Sequence, residues 1–117
     1  MKGFVATLVL LAALSSVPSA LAEGASRILL RAIEPTYIQI RDAQMPRSNS
    51  VLVARVFNTG ETYAVPDRTG LVMQTGNAGG IEVTVDGRVL GAFGKSGEVV
   101  TRIPLDPEYF IERMKAD

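Results

Sequence analysis

The chain contains no cysteine, no histidine and no tryptophan, and its aromatics are three Tyr and four Phe in 117 residues. Without cysteine there are no disulfides, no thiol nucleophile, and no thioether-linked lipid at an export site. Without histidine the commonest general base is missing, and with both types absent the usual zinc ligand sets cannot be assembled. Without tryptophan, a carbohydrate platform of coplanar rings is poorly provided. Charge of one sign is also absent: 12 basic residues balance 12 acidic ones, and no basic run exceeds two residues. An electrostatic footprint for nucleic acid or for an anionic membrane is therefore missing. No cofactor and no metal is expected.

What is present begins with an N-terminal targeting pattern. Met1-Lys2-Gly3 precedes the apolar run Phe4–Leu14, then come Ser15, Ser16 and Pro18, then the small-x-small triplet Ala20-Leu21-Ala22. One positive charge, a short apolar core, a breaker and small residues form the pattern of a secretory signal peptide cleaved after Ala22. An uncleaved inner-membrane anchor is the alternative, but a spanning helix needs about 20 apolar residues and Pro18 with the serines interrupts this run. Residues 1–22 are thus read as signal peptide and 23–117 as one exported, periplasmic domain. The remaining 95 residues hold 11 basic side chains, all but Lys2, against 12 acidic ones. That length suffices for one core without disulfides and is too short for two domains.

The mature part reads as strands. Gly60–Gly87 sets the frame: strands Thr62–Val65, Leu71–Thr75 and Ile81–Val85 are separated by Pro66–Gly70 and by Gly76-Asn77-Ala78-Gly79-Gly80. Five of the chain's eleven glycines lie between Gly70 and Gly87, so backbone geometry carries more information here than reactive side chains do. Ile81, Val83 and Val85 alternate with Glu82, Thr84 and Asp86, as in a strand with one dry face. Asp86-Gly87 predicts a type I′ hairpin, since both central residues need positive φ. Gly60, Gly70, Gly76, Gly79, Gly80, Asp86 and Gly87 are the expected turn positions.

Upstream, Arg27–Ala32 places Ile28, Leu30 and Ala32 on one face, and Thr36–Arg41 points Ile38 and Ile40 inward. Val51–Phe57 alternates with Leu52, Ala54 and Val56 on one side and Arg55 and Phe57 on the other. Downstream, Arg88–Leu90 returns from the hairpin, and Glu98–Ile103 is a last strand with Val99 and Ile103 dry. Asp106 as N-cap, Pro107 at the first helical position and Glu108 in the first turn predict a short terminal helix, with Phe110 and Met114 on one line. The fold class is all-β: a small antiparallel sandwich or barrel-like domain of seven or eight short strands with a C-terminal helix.

These residues also resemble a family. Thr36-Tyr37-Ile38-Gln39-Ile40-Arg41-Asp42 is similar to the aromatic-x-Gln-x-Arg-Asp strand near the start of the RodZ C-terminal domain. The similarity continues at Gly60-Glu61-Thr62-Tyr63, Val65-Pro66, Gly70-Leu71, Thr75–Gly80, Glu82-Val83, Val85-Asp86-Gly87, Leu90-Gly91, Gly97 and Leu105-Asp106-Pro107, covering residues 28 to 110. No single motif is specific, whereas their order together is. The resemblance implies the periplasmic β domain of a bitopic cell-shape protein, here as a secreted copy without the family's helix-turn-helix, span or linker. Contact with MreB, which belongs to that cytoplasmic part, is accordingly not implied. Two departures stand out: Tyr37 occupies a place where the family usually has Trp, and residues 43–53 are longer and more polar than usual.

Candidate sites are few. Glu82 with Asp86, and Glu61 with Asp67, read as solvated strand-face and turn carboxylates rather than acid–base pairs. Gly94-Lys95-Ser96 lacks the glycine spacing and following helix of a phosphate loop. Either Asn77 or a neighbouring glycine holds left-handed turn geometry, with the glycines letting the loop pass close under another strand, or Asn77 contacts a ligand. Tyr37, Gln39 and Arg41 share one outward face, an aromatic beside an Arg as in binding hot spots, or else Tyr37 packs beneath the terminal helix. The expectation is a non-enzymatic periplasmic interaction module, its partner an envelope protein. A small secreted peptidoglycan- or carbohydrate-binding protein or enzyme is the alternative.

Overall fold

Alternating apolar side chains on short segments cannot bury a face alone, and here they do so by stacking two sheets. The computed structural model describes residues 26–115. The signal-peptide reading of residues 1–22 falls outside them. Eight strands follow in order: β1 (Ile28–Ala32), β2 (Thr36–Asp42), β3 (Val51–Phe57), β4 (Thr62–Val65), β5 (Leu71–Thr75), β6 (Ile81–Val85), β7 (Arg88–Ala92) and β8 (Val100–Pro104). A helix, α1 (Pro107–Met114), closes the described chain. The first sheet has the order β4-β1-β6-β7 and the second β3-β2-β5-β8, and every pairing is antiparallel. Neither sheet closes on itself, so the architecture is a sandwich and not a barrel.

The core is the set of inward positions of both sheets: Ile28, Leu30, Ile38, Ile40, Leu71, Met73, Ile81, Val83, Val85 and Ile103 are all buried. Each such side chain contributes roughly 1.5–3 kcal/mol on burial. The Asp86-Gly87 hairpin joins β6 to β7 with φ of 51° and 83°, the geometry that the dipeptide predicts. Asp86 is further held by Arg27, whose Nε and Nη2 each donate to its carboxylate at 2.8 Å. Helix α1 packs on β6 and β7 through Phe110, which is fully buried and meets the Phe93 ring edge-on at 5.6 Å. Arg113 stacks 4.6 Å above Phe93. Asp106 precedes the helix but its carboxylate accepts no capping hydrogen bond; its backbone carbonyl accepts from the Tyr109 and Phe110 N–H groups instead. Among the described residues no helix is long and apolar enough to cross a membrane.

Two strand faces differ from simple alternation, each because of a bulge. Between β2 and β3 the register shifts at Ile40/Arg41, with Ile40 opposite Val53 and Arg41 opposite Val51, so Leu52 is an extra residue. Beyond the bulge the alternation is regular, as the spacing of Arg55, Val56 and Phe57 predicts: Phe57 lies opposite buried Thr36 and points inward at 1% exposure, whereas Val56 is 54% exposed. Arg55 shares the inward side, which an edge strand permits: its guanidinium sits 3.8 Å over the Phe57 ring and reaches Glu61 at 3.2 Å. Between β5 and β8 the register shifts at Met73/Thr75: Met73 faces Ile103 but Thr75 faces Val100. Thr101 and Arg102 together oppose Gln74, and both are exposed. Val100 therefore turns toward the core and Val99 is 70% exposed, not dry as the alternation predicts.

Candidate functional site

Three places on the molecule gather polar side chains. The first is the loop end where the β1–β2 turn, the β5–β6 loop and the β7–β8 loop meet. Asn77 joins all three. Its Nδ2 donates to Glu34 Oε1 (3.0 Å) and to the Pro35 carbonyl (3.2 Å), and the Gly97 N–H donates to its Oδ1 (2.7 Å). Below it runs a closed hydroxyl network. Thr36 Oγ1 donates to the Asn77 carbonyl (3.0 Å), so at the 3.0 Å contact between the two threonine oxygens Thr75 must be the donor. Thr75 Oγ1 in turn accepts from the Asn77 N–H (3.1 Å). Glu34 accepts from Ser96 Oγ as well, and its carboxylate lies below the usual range because Asn77 and then Ser96 hydrogen-bond the charged form.

Asn77 has φ −155°, an extended conformation, and Gly76, Gly79 and Gly80 have no positive φ either; the left-handed expectation for this loop does not hold. The close approach does. A Cβ on Gly79 would lie 2.2 Å from the Ser96 nitrogen and 2.5 Å from the Lys95 carbonyl carbon. Gly60, Gly70 and Gly87 are the expected positions that adopt left-handed φ, at 95°, 87° and 83°.

The second place is a cleft of about 540 Å³ at the opposite end, between the β4–β5 loop and the start of α1. Its walls include Val65, Pro66, Leu71, Leu105 and Pro107. Its two cations are already engaged, Arg27 with Asp86 and Arg68 with Asp42 at 3.5 Å.

The third is the outer face of the second sheet. Tyr37, Gln39 and Arg41 alternate along β2 with buried Ile38 and Ile40, so the three share that face as the spacing predicts. Helix α1 lies against the first sheet, which rules out packing of Tyr37 beneath it. Tyr37 is 37% exposed, opposite exposed Val56, and its hydroxyl donates to Gln39 Oε1 at 3.3 Å. Gln39 lies opposite Gln74 on β5, and Arg41 opposite Val72. Gln39, Arg41, Val72, Gln74, Thr101 and Arg102 line a shallow depression of about 290 Å³. Gln74, Thr101 and Arg102 are absent from the sequence-based candidates, because the pairing of β2 with β5 and of β5 with β8 brings Gln74 and Arg102 to this face, and the β8 bulge adds Thr101. Asn77 is not part of this face; its side chain is occupied as a brace between loops.

A family model described as the RodZ C-terminal domain matches residues 30–104, well over half of the chain. No curated protein and no solved structure is similar to the chain at a significant level. The matched span runs from Leu30 in β1 to Pro104, the last residue of β8, and so takes in both sheets and every side chain of the exposed β2 face. The chain belongs to the RodZ C-terminal domain family.

Proposed function

We propose that this protein is a non-enzymatic interaction module of the bacterial envelope, working in the periplasm after export, with the outer face of the second sheet as its contact surface. The observation that carries this reading is the β2 face itself. Tyr37 and Val56 stand exposed side by side, and further along the same face, beyond Gln39, Arg41 has no ion-pair partner among the described residues. Tyr and Arg, both present on this face, are the residue types enriched at interface hot spots. The residue types that acid–base or thiol chemistry most often uses are missing from the whole chain. A link to cell shape or envelope assembly rests on the family alone.

The test is photocrosslinking in cells, with a photoreactive residue placed at Tyr37 and, as control, at exposed Val89 on the other sheet. Capture of a discrete envelope protein from position 37 and not from position 89 is the expected result. Equal capture from both, or capture from 89 alone, overturns the assignment of the face. Pelleting the protein with purified sacculi separates this reading from a peptidoglycan-binding one, which requires strong, saturable retention.

A further inference from the structure

The depression on the second sheet has a feature that a passive surface would not keep. Arg102 has φ 55° within strand β8, in the left-handed region that side chains other than Gly, Asn and Asp seldom adopt. Backbone strain of this kind persists only where the surroundings impose it, and bulges often re-aim a side chain. Here the bulge turns two consecutive side chains, Thr101 and Arg102, to the same outer side of the sheet, opposite Gln74. Without it, Thr101 would face the core and the depression would lose one wall.

The lining is chemically one-sided. It carries two guanidinium groups, Arg41 and Arg102, two carboxamides and one hydroxyl, with no carboxylate. Among the described residues neither arginine forms an ion pair, which is true also of Arg47, Arg88 and Arg113, but only Arg41 and Arg102 line this depression together. Guanidinium groups present fixed forks of donors that match a carboxylate in bidentate fashion. Gln39 and Gln74, directly opposite one another on β2 and β5, each offer one donor group and one acceptor, the complement of a peptide bond. No aromatic side chain lines the depression, so a sugar ring would find nothing to stack on.

We propose that this depression binds an acidic peptide segment of a partner protein, a carboxylate seated between Arg41 and Arg102 and the peptide backbone paired with Gln39 and Gln74. The proposal rests on the reading of this face as a contact surface and gives that surface its ligand chemistry. Arg102 is held in a strained conformation for the ligand and not for the fold. Attraction of this kind weakens as salt is raised.

The test is a titration of the isotope-labelled protein with an acetylated Glu-Ala repeat hexapeptide, followed by backbone amide shifts. A Lys-Ala hexapeptide, free acetate and polygalacturonate serve as comparisons. Shifts centred on residues 39, 41, 74, 101 and 102 are expected with the acidic peptide alone. Arg41→Gln and Arg102→Gly should each weaken binding by about tenfold or more, while Arg102→Gly leaves the melting temperature unchanged or raises it. Shifts elsewhere, an equal response to acetate, or tighter binding of polygalacturonate overturns the peptide assignment. Unaltered binding by both variants also overturns it, as does a marked fall in melting temperature for Arg102→Gly, which would make Arg102 a structural residue. Crosslinking from Tyr37 in an Arg41→Gln, Arg102→Gly strain separates the two readings: capture retained there sinks the acidic-peptide inference and leaves the contact surface standing.

Discussion

Asn77 Nδ2 donates to Glu34 Oε1 at 3.0 Å, across 43 residues of chain, and so ties the β5–β6 loop to the turn between β1 and β2. With the Gly97 N–H on its Oδ1, one side chain fastens three loops at one end of the sandwich. Asn77→Ala removes all of these bonds at once. The expected loss is about 1–3 kcal/mol in urea unfolding, together with faster hydrogen exchange at the Gly97 amide. An unchanged exchange rate there would show that the brace is not needed to order the loop.

The Glu34 carboxylate is hydrogen-bonded only in the folded chain, so its pKa is lowered from the ordinary 4.5 by Asn77 and then Ser96. A lowered folded pKa contributes stability that is fully present above the ordinary value and disappears as pH falls through the folded one. Asp86, lowered by Arg27, and Glu61, lowered by the Asn58 N–H and then Arg55, act in the same direction. The melting temperature is therefore expected to fall below about pH 4.5. Glu34→Gln should make that fall shallower, as read by circular dichroism melts across the acid range.

Glycine positions divide into two kinds with opposite remedies. Gly60 has φ 95° and open space where a Cβ would be, so Gly60→Ala costs about 1–2 kcal/mol and Gly60→Asn recovers part of it. Gly79 has ordinary φ but no room against the Lys95–Ser96 backbone. Gly79→Ala is expected to cost about 1–3 kcal/mol or more through overpacking, and no choice of side chain rescues it. Denaturant midpoints of the three variants check both statements.

Val83 is fully buried in β6, between β1 and β7, and Val83→Asp would place a carboxylate where no water or partner reaches it. Loss of cooperative melting is expected. Phe110→Ala, by contrast, undocks one helix face and costs about 3–5 kcal/mol, leaving a cooperative but lower transition.

Arg55 turns a charge to the inner side of edge strand β3, beside its exposed neighbours Ala54 and Val56. Inward charges on edge strands discourage pairing with a second chain. Arg55→Val is expected to raise concentration-dependent association, measured by light scattering after gel filtration, more than it changes stability.

Much of this molecule is determined by the chain itself. Bounds of β4, β5 and β6, the Asp86-Gly87 hairpin and the terminal helix follow from alternation, positive-φ dipeptides and an Asp-Pro start, all of which act over a few residues. The shared face of Tyr37, Gln39 and Arg41 follows too, since a strand's period of two needs no knowledge of its neighbours.

Only the tertiary structure decided the strand order and the two bulges, and with them that Phe57 is core, that Val99 is exposed, and that Arg102 stands beside Arg41. A bulge is a mismatch between two strands far apart in sequence, so neither strand alone records it. The same holds for Asn77, whose side chain is fixed by Glu34 and Gly97, groups 43 and 20 residues away that its own neighbours do not announce.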